Sequence, residues 1–268
     1  MHHEGPASSD VGTLLPLAVL LVLTLTYLGL AAARRAEPRG WSRWRTASLA
    51  TASVLLALAL LPAWMPWPEH DFRGHVLQHL LLGMVAPTFV VLGAPVTLLL
   101  RSVPVRRARQ VTRVLRSRLA HVLAHPVTAL VLTVGGVAAL YLTPVYGTVR
   151  EHEAVHLLVH AHFVASGCLF AWVVAGPDPA PRRPSVPARL VVLGVAIAAH
   201  AVLSQPAVRG DRRARAGAVG RAPGRRRASC TTAATWPSLL LAVALLSGWR
   251  PRRAAGRRRQ WAGSRTAW

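Results

Sequence analysis

The sequence predicts an all-α protein, a polytopic transmembrane helical bundle of about seven spans, six of them clear and the seventh short. Of its 268 residues, 53% are hydrophobic and 15% are charged, whereas a soluble domain carries about 25% charged residues. The apolar residues are gathered into uncharged blocks of about the 20 residues that a helix needs to cross a bilayer core of roughly 30 Å. Arginine-rich and arginine-poor connections alternate between these blocks, as expected of a chain that crosses a membrane repeatedly.

Seven apolar blocks follow one another along the chain. They cover residues 11–33, about 46–64, 75–100, 121–143, about 151–176, 186–204 and, shorter than the rest, 235–249. Pro87 and Pro95 lie inside the third block. Each proline removes one helical hydrogen bond and favours a kink, which neighbouring membrane helices can tolerate. We therefore expect an interrupted third helix.

The arginines orient the chain. The connections after the first, third and fifth blocks hold five, seven and two arginines, with a third, Arg189, near the start of the sixth block, and those after the second and fourth hold one each. Because arginine is retained on the cytoplasmic side, we predict a multi-pass protein whose N-terminus is extracytoplasmic. The first ten residues contain no arginine and so lack the positive region of a signal peptide.

The formal net charge of +23 would favour nucleic acid as the partner of a soluble protein. Here the charge lies between the apolar blocks and in the C-terminal quarter, so the expected partner is the lipid bilayer and not nucleic acid. Cys168 and Cys230 are too few for a disulfide framework or a cysteine-based zinc site.

Three regions are predicted from composition. Residues 1–204 form the histidine-containing transmembrane bundle, residues 205–234 are an anomalous arginine-rich segment, and residues 235–268 hold the last short transmembrane helix and a basic tail. The segment 205–234 should be extracytoplasmic, yet it carries eight arginines and one acid, Asp211. It is either a disordered basic loop or the product of a shifted reading frame. We favour the second hypothesis, which fails if neither other frame of the gene encodes an apolar continuation.

The histidines are grouped. His75 and His79 are four residues apart and share a helical face, and His152, His156 and His160 form a ladder of about two turns. The predicted topology brings both groups and His200 of the sixth block to the extracytoplasmic side. The predicted metal ligands are therefore His75, His79, His152, His156, His160 and His200.

Imidazole suits copper, zinc and iron, and copper(II) has the highest affinity among the divalent ions. Met65 or Met84 could add a thioether that favours copper(I), and Asp71 or Glu153 could orient a ligand imidazole. Polar groups inside a membrane are costly and tend to mark functional sites.

Structural roles explain some histidines equally well. A single intramembrane histidine such as His162 or His200 is often an interhelical hydrogen bonder. His75 and His152 could lie in the watery interface, as we expect of His121 and His125 at the cytoplasmic end of the fourth block. The Trp64 and Trp67 side chains indicate interfacial anchoring.

Two stretches resemble a known family. HVLQHLLLGMVAPTFVVLGAPVTLLLR and EHEAVHLLVHAHFVASGCLFAWVVAGPDPAPRR are similar to the CtaG-type cytochrome c oxidase assembly factors of bacteria. The resemblance covers about residues 10–204 and, through TWPSLLLAVALL, the last helix. It implies a protein of the bacterial plasma membrane that matures a haem–copper oxidase, with cytochrome c oxidase subunits as partners and copper handled at the outer face.

We therefore predict a membrane assembly factor for cytochrome c oxidase that binds copper through extracytoplasmic histidines. No nucleophile, acid–base pair or phosphate-binding loop is visible, so we do not expect an enzyme. Two alternatives stay open. One is a membrane b-type cytochrome with a haem held by two histidines, and the other is a copper transport or resistance protein.

Overall fold

The structure is a computed structural model that describes residues 6–38, 40–61, 72–143, 152–181 and 184–216. These ranges are helical and contain no β-strand. The helices are α1 (Pro6–Arg35), α2 (Arg43–Leu60), α3 (Phe72–Leu80), α4 (Ala86–Leu92), α5 (Pro95–Ser102), α6 (Val105–Leu115), α7 (Arg118–Leu123), α8 (Pro126–Leu142), α9 (Glu153–Ala175) and α10 (Val186–Ala216), with a π-helical turn at Leu81–Val85 between α3 and α4. The predicted all-α class is confirmed.

The third apolar block is interrupted at two places. The π-helical turn precedes Pro87, which has no N–H to donate to the carbonyl of Gly83 four residues earlier. Ala94 then adopts a left-handed conformation with φ of 52°, and Pro95 is the first residue of α5. Proline is favoured at that position because its missing N–H would have no helical partner there.

The fourth block is not a single helix. Instead of the predicted helix over 121–143, α7 ends at Leu123 and α8 begins at Pro126. His125 caps α8, its Nδ1 accepting a hydrogen bond from the backbone N–H of Val127 at 3.3 Å. A capping side chain followed by proline starts a helix, so His121 and His125 precede the apolar helix. Both are exposed.

Four helices of the described chain are long and apolar enough to cross a membrane. They cover Thr13–Arg35, Leu77–Ser102, Glu153–Ala175 and Val186–Leu203, and the apolar helix Pro126–Leu140 is shorter. The predicted count of about seven spans is thus not confirmed. The predicted seventh helix, within 235–268, lies outside the described residues, while α10 continues to Ala216, past the predicted boundary at residue 204.

The helices pack antiparallel, which separates two ends of the bundle. One end, the arginine-rich end, joins three connections. Arg101 in the last turn of α5 donates to the carbonyl of Gly40 before α2 at 3.1 Å, and Asp178 after α9 accepts from the backbone N–H of Thr97 in α5 at 2.8 Å. The opposite end, the histidine end, holds the C-terminus of α2, α3 and the N-terminal half of α9.

Three apolar clusters fill the space between the helices. Near the arginine-rich end, one joins α9 to α10 through Phe170, Val174 and Leu193, and another joins α1 to α5 around Tyr27 and Leu98. At the histidine end, Ala59, Leu82, Leu140 and Phe163 bring together α2, the π-helical turn, α8 and α9. This third cluster forms the floor of the candidate site.

Candidate functional site

Two helices bring three histidines together at the histidine end. His79 lies in the last turn of α3, and His156 and His160 lie one turn apart on α9. The ring centroids of His79 and His160 are 5.9 Å apart, with the ring planes at 70°. The centroids of His156 and His160 are 4.2 Å apart. The structure therefore joins His79 from the first predicted group to His156 and His160 from the second.

The two facing imidazoles are buried. His79 and His160 are each 7% exposed, and His156 is half-buried above them. The ring of Phe163 lies 4.4 Å from that of His79, centroid to centroid, and Phe163 belongs to the apolar cluster below. Because an imidazole among apolar side chains is costly, this placement is typical of a functional polar group inside a membrane protein.

The π-helical turn sets the position of His79 against α9. A π-helical turn adds one residue to a helix and is frequent at functional sites. Here Ala86 donates its backbone N–H to the carbonyl of Leu81, five residues earlier. The extra residue rotates α3, and His79 with it, relative to α4. The side chains in the turn include Leu82, which is 1% exposed in the cluster below the histidines.

Two glycines hold the π-helical turn close to α9. A Cβ atom added at Gly167 would overlap the carbonyl group of Gly83, and one added at Gly83 would lie 3.2 Å from Cδ1 of Phe163. Small residues permit such close backbone approach between membrane helices. The contact between Gly83 and Gly167 is therefore what lets His79 reach His160.

A polar contact connects the site to α2. The side-chain amide of Gln78, next to His79, donates to the carbonyl of Ala59 at 2.9 Å. Ala59 lies in the last turn of α2, where its carbonyl has no helical donor to accept from. The hydrogen bond both satisfies that carbonyl and fixes α3 to α2.

Of the remaining predicted ligands, His152 and His200 are not brought to this pair. The side chain of His75 lies outside the described residues, although its backbone is in α3. His152 is exposed at the N-cap of α9, without a side-chain capping bond. His200 uses Nδ1 to bond the carbonyl of Ala196 in its own helix at 2.7 Å. The ring contacts of the described histidines do not extend to either His152 or His200.

His162 has the structural role that its position suggested. Its Nε2 lies 3.2 Å from the carbonyl oxygen of Leu132 on α8. A Cβ atom at Gly136 of α8 would lie 2.5 Å from the same nitrogen, so the glycine makes room for the ring. His162 is thus an interhelical hydrogen bonder that faces away from His79.

The ring separation allows a shared metal ion, although the ligand set is small. In the described part of the chain, no group of three His, Cys, Asp or Glu side chains is arranged to hold a metal. Two imidazole nitrogens about 2.0 Å from one ion place their ring centroids roughly 5 to 6 Å apart. The 5.9 Å between His79 and His160 falls in that range. Two imidazoles are ligands that copper accepts.

Asp178 is an ordered polar residue that the sequence analysis did not single out. It is 2% exposed, and its carboxylate accepts from the backbone N–H groups of Val96 at 3.1 Å and Thr97 at 2.8 Å, and from the Thr97 hydroxyl. It therefore caps α5 from another part of the chain. The available signal was the pair of prolines around Asp178, which favours an ordered turn.

Comparison with known proteins gives one family. The model of the cytochrome c oxidase caa3 assembly factor family (Caa3_CtaG) matches residues 25–212. This range contains the three clustered histidines and enters the segment 205–234.

Curated mycobacterial proteins are similar to the same part of the chain. Uncharacterized proteins of Mycobacterium bovis and Mycobacterium tuberculosis are each 34% identical over 188 residues, which cover 68% of this chain and 28% of the relative. One of Mycobacterium leprae is 31% identical over 192 residues, 69% of this chain and 29% of the relative. The match thus spans less than a third of the length of these relatives. No solved structure matches the chain.

Proposed function

This chain belongs to the cytochrome c oxidase caa3 assembly factor family, and from that premise we propose that it carries copper for oxidase assembly between His79 and His160. The observation that carries the proposal is the buried pair of imidazoles with ring centroids 5.9 Å apart. Copper is here a cargo that the protein receives and passes on. A set of two buried imidazoles is suited to that task, because a site with few ligands releases its ion more readily than a full coordination shell.

Each residue of the site has a stated role in this proposal. His79 and His160 hold the ion, and the half-buried His156 lies beside His160, between the pair and the surface, where it guides the ion in or out. Phe163 and Leu82 close the site from below, so that copper enters and leaves only at the histidine end. We propose that the chain acts in this way without catalysing a reaction.

The geometry favours an ion over a haem. A haem ligated by His79 and His160 would have its macrocycle between α3 and α9. Phe163 packs on His79 in that space, and Gly83 meets Gly167 one to two turns deeper, so the helices would have to separate. The copper-transport alternative requires ligands along a path through the membrane. In the described chain, the side chains directly beneath the histidines, among them Leu82, Leu140 and Phe163, are instead apolar.

The oxidase subunits are the proposed partners, and the bacterial plasma membrane is the proposed location. The arginine-rich end faces the cytoplasm in this proposal, since arginine is retained there. The histidine end and the N-terminus then face outward, where copper is delivered. A reporter enzyme that is active only outside the cytoplasm, fused before residue 6, should be active, and an inactive fusion would contradict this orientation.

The experiment for the assembly role uses cells whose own copy of the gene is replaced by the variant H79A/H160A. We expect the oxidase to contain less copper per haem, and excess copper in the medium to restore it, because a delivery defect is overcome by supply. The matched control is H200A, which removes a histidine of the same membrane half outside the cluster. Normal copper content in the H79A/H160A cells would contradict the proposal.

A further inference from the structure

The connection between α5 and α8, at the arginine-rich end, contains a strongly amphipathic helix that the proposed function does not use. In α6, the side chains of Ala108, Val111 and Leu115 share one face. Arg106, Arg109 and Arg113 occupy the opposite face, and Arg107 lies between Val111 and Val114. The helix has 11 residues and a length of roughly 16 Å, too short to cross a membrane.

The apolar side of this connection is poorly covered by protein. No residue of α6 is buried, and Val105 and Val114 are 66% and 69% exposed. In α7, Leu119 is 67% and Val122 is 58% exposed. Val111 and Leu115 are half-buried, and the exposed apolar side chains around them would be unfavourable in water.

The ends of α6 fix it near the membrane surface. Two residues separate its first residue from Ser102, where the apolar helix Leu77–Ser102 ends. On the other side, the short helix α7 leads directly into the apolar helix α8. The helix that ends at Ser102 and the helix α8 both emerge from the bilayer at this end. The short connections therefore keep α6 close to the lipid headgroups.

The charge of the connection is of one sign. Residues 101–125 contain seven arginines and no aspartate or glutamate. The ion pairs of the described chain use Arg34 and Arg101 with Glu37, and none of them involves an arginine of α6. The arginines of α6 are exposed and thus available to a negatively charged partner.

We propose that α6 lies in the headgroup plane of the membrane and binds anionic phospholipids. Its apolar face contacts the acyl chains while its arginines contact phosphate groups, the arrangement of interfacial amphipathic helices. Anionic lipids satisfy both faces at once, whereas an acidic protein surface would satisfy only the arginines. Arginine clusters close to a membrane helix are typical binding sites for such lipids.

The position of α6 is tested in the full-length chain, reconstituted in bilayers of phosphatidylcholine and phosphatidylglycerol. With Cys168 and Cys230 replaced by serine, a spin label is attached in the variant V111C or Q110C. The label in V111C should collide more with oxygen, which dissolves in the bilayer, and that in Q110C more with a water-soluble nickel complex. The reverse pattern, or exclusion of both reagents from V111C, overturns the proposal, since the apolar face would then lie in water or against protein.

The lipid preference is measured with a fluorophore on Q110C and headgroup-level quenchers carried by either lipid. Phosphatidylglycerol should quench more strongly at equal mole fraction. Because one arginine near an anionic surface changes lipid association by about fivefold, R109Q/R113Q should lower this enrichment by fivefold or more. The control R35Q/R43Q removes two exposed arginines from another connection at the same end. It should change the enrichment of phosphatidylglycerol less than twofold. Equal quenching by the two lipids, or equal effects of the two variants, overturns the proposal.

Discussion

The imidazoles of His79 and His160 differ from the other buried polar side chains of the membrane helices. The hydroxyl of Thr88, for example, bonds the carbonyl of Met84 in its own helix at 2.7 Å, so burial costs it little. An imidazole has two nitrogens that point in different directions, and its own helix can satisfy only one of them, as at His200. Buried histidines therefore need partners on other helices or a ligand, and here two of them face each other.

His162 gives a prediction at the residue scale. The variant H162A should lower the free energy of unfolding by about 1–2 kcal/mol, since it removes an interhelical hydrogen bond and opens a space beside Gly136. Unfolding in mixed micelles measures the change. The exposed His121 provides a control, as H121A should leave stability within about 0.5 kcal/mol. Copper binding should survive both substitutions, and its loss in H162A would place that residue in the site.

The contact between α9 and the π-helical turn gives a prediction at the element scale. In G167A the new Cβ atom overlaps the carbonyl of Gly83, so the helices must separate. We expect a loss of about 1–3 kcal/mol in stability and weaker copper binding, because His79 moves away from His160. Both are measured on the purified variant, by unfolding in mixed micelles and by copper titration.

Gly194 is the matched control, since a Cβ atom there meets nothing within 4 Å. G194A should be neutral or stabilise α10 by up to about 1 kcal/mol through helix propensity. If G167A were as harmless as G194A, the close approach of α9 and the π-helical turn would not be what holds the site together.

Sequence reasoning predicted long apolar helices better than their irregularities. The predicted helices 151–176 and 186–204 agree with α9 and with the apolar part of α10 to within a few residues, because a long apolar block leaves a membrane helix as the only stable form. The π-helical turn depends on Gly167 of another helix, which local sequence does not reveal. The helix α6 was not predicted, because its arginines are also an orientation signal and hide the helical spacing of its apolar residues.

At the scale of the whole molecule, the two ends of the bundle have different chemistry. The described part of the histidine end combines imidazoles and apolar side chains with the hydrogen bond of Gln78 to Ala59, and the arginine-rich end is held by polar contacts. There Trp41 stacks with Arg45 and Arg101, whose guanidinium carbons lie 5.0 and 5.6 Å from the ring centroid. Its Nε1 donates to the hydroxyl of Tyr27 at 3.3 Å. The end opposite to the proposed copper site thus carries most of these polar contacts between helices.

Variants of Asp178 test whether the arginine-rich end and the histidine end are independent of each other. Because D178A leaves the N-terminus of α5 without its charged acceptor, we expect a loss of about 2–3 kcal/mol in the free energy of unfolding. D178N retains one amide oxygen and should lose less. Thermal unfolding in detergent should rank the parent chain as the most stable, D178N as intermediate and D178A as the least stable. Copper affinity at the histidine end should stay within about twofold in D178N, and a large drop would mean that the two ends are coupled.

The arrangement of the histidines was predicted only in part, and their role as metal ligands stays a prediction. The four-residue spacing correctly placed His156 beside His160, and the alternation of the helices placed His79 at the same end. Depth and rotation about the helix axis were not predictable, so His152 and His200 were grouped with residues that they do not contact. The contribution of His75 stays a prediction.

The most direct test of the central claim is a copper(I) titration of the purified chain against a competing chelator. We predict one equivalent of copper(I) per chain in the parent protein, and at least a tenfold loss of affinity, about 1.4 kcal/mol, in both H79A and H160A. H162A and H200A should retain the affinity of the parent. Copper(I) binding that is absent from the folded parent, or equally strong in H79A and H160A, would contradict the copper site.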